Sequence, residues 1–218
     1  MLGNAHGQNN LLSFLALQIR ENLLLIVPVQ SGGMEIIMIR KSGVLMHISS
    51  LFGEYSIGGF GDEAKYFVDF IKECGFSYWQ VLPFCLVDEC NSPYKSYSSF
   101  GGNPYFISLK KLFDKGLLTQ EELDSQIQQT PYFCEFTRLY HTRLEVLMAA
   151  SKRVKNREEI NAFIEKDEYL KKFCEFMVHK SVNDQLPWYK WENLEIDNDM
   201  LFMWRFIQFE FFILFIYK

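Results

Sequence analysis

The sequence predicts an α/β fold that opens with a parallel βαβ unit and continues as helix. Three observations predict it. Gly43–Ile48 (GVLMHI) and Tyr78–Leu82 (YWQVL) are short, nearly continuous apolar runs of strand length. Between them, Ala64, Phe67, Val68, Ile71 and Cys74 recur at helical spacing. After Pro104, capping signals and apolar spacing are helical almost to Lys218.

Order is expected to begin near Ile39. Upstream, Leu11–Leu17 and Leu23–Val29 are apolar runs separated by Gln18, Arg20, Glu21 and Asn22. Each is well short of the roughly 17–25 residues that span a bilayer, and no basic segment precedes them. A second start-like methionine, Met34, follows Ser31-Gly32-Gly33. Residues 1–38 are therefore expected to be a poorly ordered extension.

Gly43–Ile48 suits a parallel strand buried on both faces. Ser49–Phe60 follows as a loop marked by Gly53, Gly58 and Gly59. Gly61–Cys74 is then expected as helix. Asp62 and Glu63 favour its first turn, and Gly75 marks its stop. Tyr78–Leu82 is the second strand, and a right-handed crossover is expected. The chain then breaks into a polar, aromatic, glycine-containing loop up to Pro104, the kind of segment that presents a binding surface.

Thr119 and Glu122 have capping-box spacing, so a helix is expected over Leu118–Gln129. Phe133–Ala150 and Arg157–Val182 are read as single helices. Ser151–Lys172 holds seven Lys/Arg and five Asp/Glu, a pattern read as a solvated helix face. A last helix over about Met200–Lys218 includes Phe211–Tyr217, apolar on every face, which demands burial on all sides.

Composition narrows function. Hydrophobic residues at 49% and aromatics at 17% exclude intrinsic disorder. A net charge of −5 points away from nucleic acid and from basic membrane-surface binding. The five cysteines Cys74, Cys85, Cys90, Cys134 and Cys174 are odd in number and lack CxxC pairs, so neither a disulfide framework nor a zinc site is expected. Reduced thiols fit a cytoplasmic protein. No cofactor and no metal are expected. Cys90 has no evident histidine partner for nucleophilic work.

Several motifs carry a family resemblance. Arg40–Leu51 (RKSGVLMHISSL) resembles the opening strand of the 4-α-glucanotransferases known as amylomaltases or disproportionating enzymes, glycoside hydrolase family 77. Ala64–Phe70 looks like that family's first helix, AxxFVDF. Ser77–Pro83 (SYWQVLP) is similar to its second strand, and Ser92–Pro104 (SPYKSYSSFGGNP) resembles its SPYQSFSAFAGNP loop. Leu186–Trp191 (LPWYKW) looks like its LPWxxW. The resemblance is strong over Arg40–Leu118 and weaker beyond.

The resemblance implies the N-terminal part of a (β/α)8 TIM barrel, about two strands of it, with a helical insertion subdomain. It implies first β/α units with a sugar-site loop over 39–106, the insertion over 107–199, and a truncated barrel helix over 200–218. The implied partners are α-1,4-glucans and maltodextrins. The implied chemistry is retaining transglycosylation by an aspartate nucleophile and a glutamate acid/base, neither of which this sequence matches. Asp88 and Glu89 are adjacent acids in the loop but do not fit as a catalytic pair.

Tyr94 matches the family tyrosine that lines the donor sugar site, and Ser92 a neighbouring sugar-contacting serine. A tyrosine there offers a flat face to a pyranose ring and a hydroxyl to its oxygens; the plainer alternative is that Tyr94 packs the loop against the barrel rim. His47, at the end of the first strand, reads equally as a site residue or as a hydrogen-bonded core histidine. The loop departs from the family at Glu89, Cys90, Asn91 and Lys95, where an aromatic, a glycine, an aspartate and a glutamine are usual, and Phe52-Gly53 replaces Pro-Gly. Asn91 is carried as a further candidate. Two activities are thus in view: a glucanotransferase portion inactive by itself, or a non-catalytic maltodextrin-binding or regulatory fragment using Tyr94, Tyr97 and Phe100. A separate chain supplying the remaining strands is a third arrangement.

Overall fold

Two three-residue strands start the structure. In the computed structural model, which describes residues 40–88, 90–130 and 132–216, β1 is Gly43–Leu45 and β2 is Tyr78–Gln80. They pair in parallel with Gly43 opposite Tyr78, Val44 opposite Trp79 and Leu45 opposite Gln80. The reading of residues 1–38 as an extension lies outside the described residues. From Gly43 onward the chain forms one compact unit.

Helix α1, Asp62–Glu73, connects the strands and completes the expected βαβ unit. Glu63 Oε1 accepts from the Gly59 N–H at 3.0 Å, tying the first turn to the preceding loop. At the other end the Gly75 N–H bonds Lys72 O and the Phe76 N–H bonds Ile71 O, the paired bonds of a Schellman stop. Phe67 packs edge-on against Trp79, 4.9 Å between ring centroids, and Ile71 is buried.

The expectation that β1 is buried on both faces is overturned. Leu45 is 60% exposed, and Val68 and Cys74 of the helical stripe are exposed too. The sheet has two strands among the described residues, so each strand has a neighbour on one edge only.

Among the described residues six α-helices follow: α2 Leu109–Asp114, α3 Gln120–Asp124, α4 Phe136–Lys152, α5 Arg157–Ile164, α6 Glu168–Val182 and α7 Asn198–Ile216. The capping box forms as the sequence predicts: Thr119 Oγ1 accepts from Glu122 N–H at 3.2 Å, and Glu122 Oε2 from Thr119 N–H at 2.9 Å. The helix does not reach Gln129, however. Gln126 turns inward to Thr142 and Arg143, and Gln128 donates to Gly53 O at 2.7 Å, so both glutamines serve long-range contacts instead of another turn.

The single helix expected over Arg157–Val182 is likewise two. The break spans Glu165–Asp167, where Asp167 Oδ1 caps α6 by accepting from Tyr169 N–H (2.9 Å) and Leu170 N–H (3.2 Å). The mixed charges nearby face solvent in pairs such as Lys172–Glu168 and Lys171–Glu165.

Helix α7 is enclosed over residues 202–212, Ile213 is partly buried, and the burial of 214–217 lies outside the described residues. Phe202, Met203, Trp204, Phe206, Ile207, Phe209, Phe211 and Phe212 are all buried, among α4, α5, α6 and the 3-10 turn Pro104–Phe106. Its buried amide and its buried carboxylate, Gln208 and Glu210, both have partners, whereas the buried Trp204 Nε1 has none among the described residues. Glu210 takes Lys115 Nζ at 2.6 and 2.8 Å on its two oxygens. No helix among the described residues is long and apolar enough to cross a membrane.

Gln208 carries the decisive contact. Its Oε1 accepts from the Gly102 N–H at 2.7 Å, and its Nε2 donates to Gly102 O at 3.1 Å. The side chain is fully buried. A Cβ on Gly102 would lie 2.3 Å from the Phe211 ring, and one on Gly101 2.3 Å from Phe173, so only glycine allows this approach. Gln208→Leu keeps the volume but strands two buried backbone groups. It should lower stability by about 2–4 kcal/mol in urea denaturation; a loss under about 0.5 kcal/mol would show the clamp to be dispensable.

Candidate functional site

The loop between β2 and the Pro104–Phe106 turn is built as an irregular hairpin, closed at three levels. At its root, Asn103 N–H donates to Phe84 O at 3.2 Å, Asn103 Nδ2 donates to Cys85 O at 3.3 Å, and Cys85 faces Gly102 in an antiparallel bridge. Midway, Val87 faces Ser96, and Ser96 Oγ donates to Leu86 O at 2.5 Å. These bonds satisfy backbone groups that a loop packed on the core could not leave bare.

Asp88 closes the tip. Its N–H donates to Lys95 O at 3.3 Å and its O accepts from Asn91 N–H at 3.0 Å. Its carboxylate accepts from Cys90 N–H at 3.0 Å through Oδ1 and pairs with Lys95 Nζ at 2.5 Å through Oδ2. That side chain is only 4% exposed. The Lys95 ammonium, helped by the Cys90 N–H, holds the Asp88 carboxyl below its usual range. Asp88 is thus a structural acid. Glu89 lies outside the described residues.

The turn that Asp88 encloses carries three of the candidates. Asn91 is exposed and takes a left-handed backbone, φ 55°, which asparagine tolerates. Ser92 is half-buried; its Oγ accepts from Tyr94 N–H at 3.4 Å and its O from Lys95 N–H at 3.1 Å. Tyr94 projects from the tip, 74% exposed.

His47 sits apart, at the loop's root. Its Nδ1 accepts from Ser49 N–H (3.2 Å) and from the Ser49 hydroxyl (2.7 Å), which places the proton on Nε2, 3.3 Å from Pro83 O. The ring lies against Phe106, with centroids 5.5 Å apart, and against Phe84. Burial lowers its pKa and outweighs the Pro83 contact. A neutral histidine with both nitrogens engaged joins the end of β1 to the chain leaving β2.

All five cysteines are free. Burial pushes the thiols of Cys85 and Cys134 up, and that of Cys174 to about 12, so these three are poor nucleophiles. Among the described residues no group of three or more His, Cys, Asp and Glu side chains could hold a metal ion. The closure of the tip by Asp88 and the anchoring of the root by Gln208 are absent from the sequence reading. A carboxylate and a lysine seven residues apart across a turn were the available signal for the first; nothing local signals the second.

A family model described as 4-alpha-glucanotransferase, glycoside hydrolase family 77, matches residues 46–211. The chain belongs to this family. The 4-alpha-glucanotransferase of Streptococcus pneumoniae is 37% identical over 161 residues, covering 72% of this chain and 32% of that protein. That of Clostridium butyricum is 34% identical over 184 residues, covering 77% and 38%. The amylomaltase of Streptococcus agalactiae, solved in complex with acarbose, superposes with a TM-score of 0.74 at 27% identity over 81% of this chain and 39% of that one. Corynebacterium glutamicum amylomaltase, at 17% identity and a TM-score of 0.58, shares the fold. The chain therefore spans about a third of the length of the curated 4-alpha-glucanotransferases it matches.

The Asp88 contact predicts a pH response. Its folded-state pKa is depressed, so its contribution to tip closure is complete above the ordinary aspartate value of 3.8 and is lost as pH falls through the lower folded value. In an amide NMR titration the Cys90 N–H should shift with a midpoint below 3.8, and Asp88→Asn should abolish the transition. A midpoint above 3.8 would contradict the geometry.

Proposed function

We propose that these residues are the donor-side, substrate-facing portion of a 4-alpha-glucanotransferase that transfers α-1,4-glucan segments between maltodextrins. The observation that carries this reading is Tyr94: an aromatic ring 74% exposed at the tip of a loop that backbone hydrogen bonds close at its root and its tip. Its ring stacks on a pyranose face, while the neighbouring Ser92 and Asn91 supply polar edges. His47 contributes by fixing the loop's root. In this reading 39–106 are the first β/α units of a (β/α)8 barrel, 107–199 are an inserted helical subdomain, and 200–218 return toward the barrel. Loops after the strands of such a barrel gather at its C-terminal face, where sites are built. The five free cysteines support action in the cytoplasm.

The proposed reaction is a retaining double displacement, which requires two carboxyl groups about 5–5.5 Å apart. Asp88 cannot be one of them, because Lys95 and the Cys90 N–H occupy its oxygens. No carboxylate in the sequence matches the catalytic motifs that the family resemblance implies. The 218 residues by themselves are therefore proposed to bind maltodextrin without transferring it.

Incubation with maltotriose and chromatography of the products should show no longer maltodextrins. Calorimetry should show maltoheptaose binding that Tyr94→Ala weakens about tenfold and Tyr94→Phe largely retains. Product formation would overturn the claim of inactivity, and an unchanged affinity in Tyr94→Ala would overturn the role of Tyr94.

A further inference from the structure

We propose that Tyr97, Phe100 and Tyr169 form a second stacking platform for an α-1,4-glucan, beyond Tyr94; the proposal rests on the glucan-binding reading above. Past its tip the loop turns onto helix α6. Phe100 stacks on Tyr169 with ring centroids 4.7 Å apart and planes 18° from parallel. Both residues are 52% exposed. Tyr97 leans on Phe176, and Lys180 Nζ lies 4.5 Å over the Tyr97 ring. Tyr97, Phe100, Tyr169 and Phe176, with Ser98, Lys172 and Phe173, line an open cleft of about 190 Å³.

The floor of the cleft is fixed. Phe173 is buried, packs edge-on to Trp204 of α7, and touches the Gly101 backbone so closely that no side chain fits between. The rings above it are therefore set in place before any ligand arrives, which lowers the ordering cost of binding. Large apolar rings left half in water beside a rigid floor mark an interaction site.

The lining selects a neutral, ring-shaped, hydroxyl-bearing ligand. No carboxylate lines the cleft, so it offers a cation no counter-charge. Its one lining lysine is not offered to phosphate either: Lys172 pairs with Glu168 at 3.3 Å, and Lys180, behind the Tyr97 ring, donates to Gln185 O at 2.8 Å. What remains are flat aromatic faces with hydroxyls at the rim, which suit the apolar face and polar edge of a pyranose. The cleft is smaller than the about 300–1,000 Å³ typical of whole-ligand pockets, so it takes one ring of a longer chain.

Continuity with Tyr94 sets the length of that chain. Tyr94 and Tyr97 are three residues apart, so their Cα atoms are within about 11 Å. An oligosaccharide of several rings can engage both, and the second contact then benefits from a high effective concentration. A maltotriose engages one.

Calorimetry of the full chain with maltotriose and maltoheptaose tests this. Maltoheptaose should bind about tenfold more tightly, and Tyr169→Ala or Phe100→Ala should bring the ratio close to one, while Tyr169→Phe preserves it. Tyr94→Ala should weaken both sugars. Both altered positions are half exposed, and unchanged melting curves confirm that the variants fold. A length ratio unchanged in Tyr169→Ala and Phe100→Ala, with Tyr94→Ala still weakened, overturns the platform alone. Failure of the wild-type chain to bind either sugar overturns the glucan reading and the platform with it.

Discussion

Everything at the loop depends on one buried amide. Gln208 satisfies both the N–H and the O of Gly102, a residue 106 positions earlier in sequence. A backbone pair facing the interior of a helix bundle would otherwise lose its water with nothing in exchange, at a cost of about 1–3 kcal/mol for each group. The amide answers both groups at once. The aromatic rings of Phe211 and Phe173 then close on Gly102 and Gly101 so tightly that the loop's root cannot drift from α7. Only above this anchor does the loop become irregular and present Tyr94.

A second buried polar group ties the remaining segments together in a different manner. Arg143 of α4 is fully buried and, among the described residues, forms no salt bridge to a carboxylate. Its guanidinium donates to Tyr55 O at 2.7 Å, Gln126 Oε1 at 3.2 Å and Tyr105 O at 3.3 Å. One planar donor thus joins the loop after β1, the end of α3 and the turn after the Tyr94-bearing loop. Burial pushes its pKa down to about 10, which leaves it charged at neutral pH. Carbonyl dipoles in a fixed array stand in for a counter-ion, and the fork geometry of arginine allows three of them to be met at once. The helical block and the strand-bearing segment share these two polar ties as well as their apolar cores.

Local chemistry was legible in the sequence and tertiary chemistry was not. The helix of the βαβ unit, the Gly75 stop and the Thr119–Glu122 capping box all rest on residues within a few positions of one another, and all appear where spacing puts them. The ends of α3 and α5 were missed because Gln126, Gln128 and Asp167 look helical in isolation; their side chains are drawn to distant backbone or to a cap. The burial of β1 was over-read, since an apolar run reveals nothing of how many strands flank it. In the loop, motif likeness put Ser92 and Tyr94 forward as candidates, and the structure adds how Asp88 and Lys95 shape the turn that carries them. The choice left open at His47 turned on its partners, Ser49 and Pro83, one of them 36 residues away.

The central claim is that a glucan docks on the loop that Gln208 holds against the helices. A backbone amide NMR map of the full chain, with and without maltoheptaose, tests it most directly. The account predicts that the largest shift changes fall on Asn91–Phe100 and at Tyr169, with little change at Arg143 and its carbonyl partners. Changes centred away from this loop, on the surface around Phe133–His141 for instance, would contradict it, as would a spectrum that the sugar leaves unmoved.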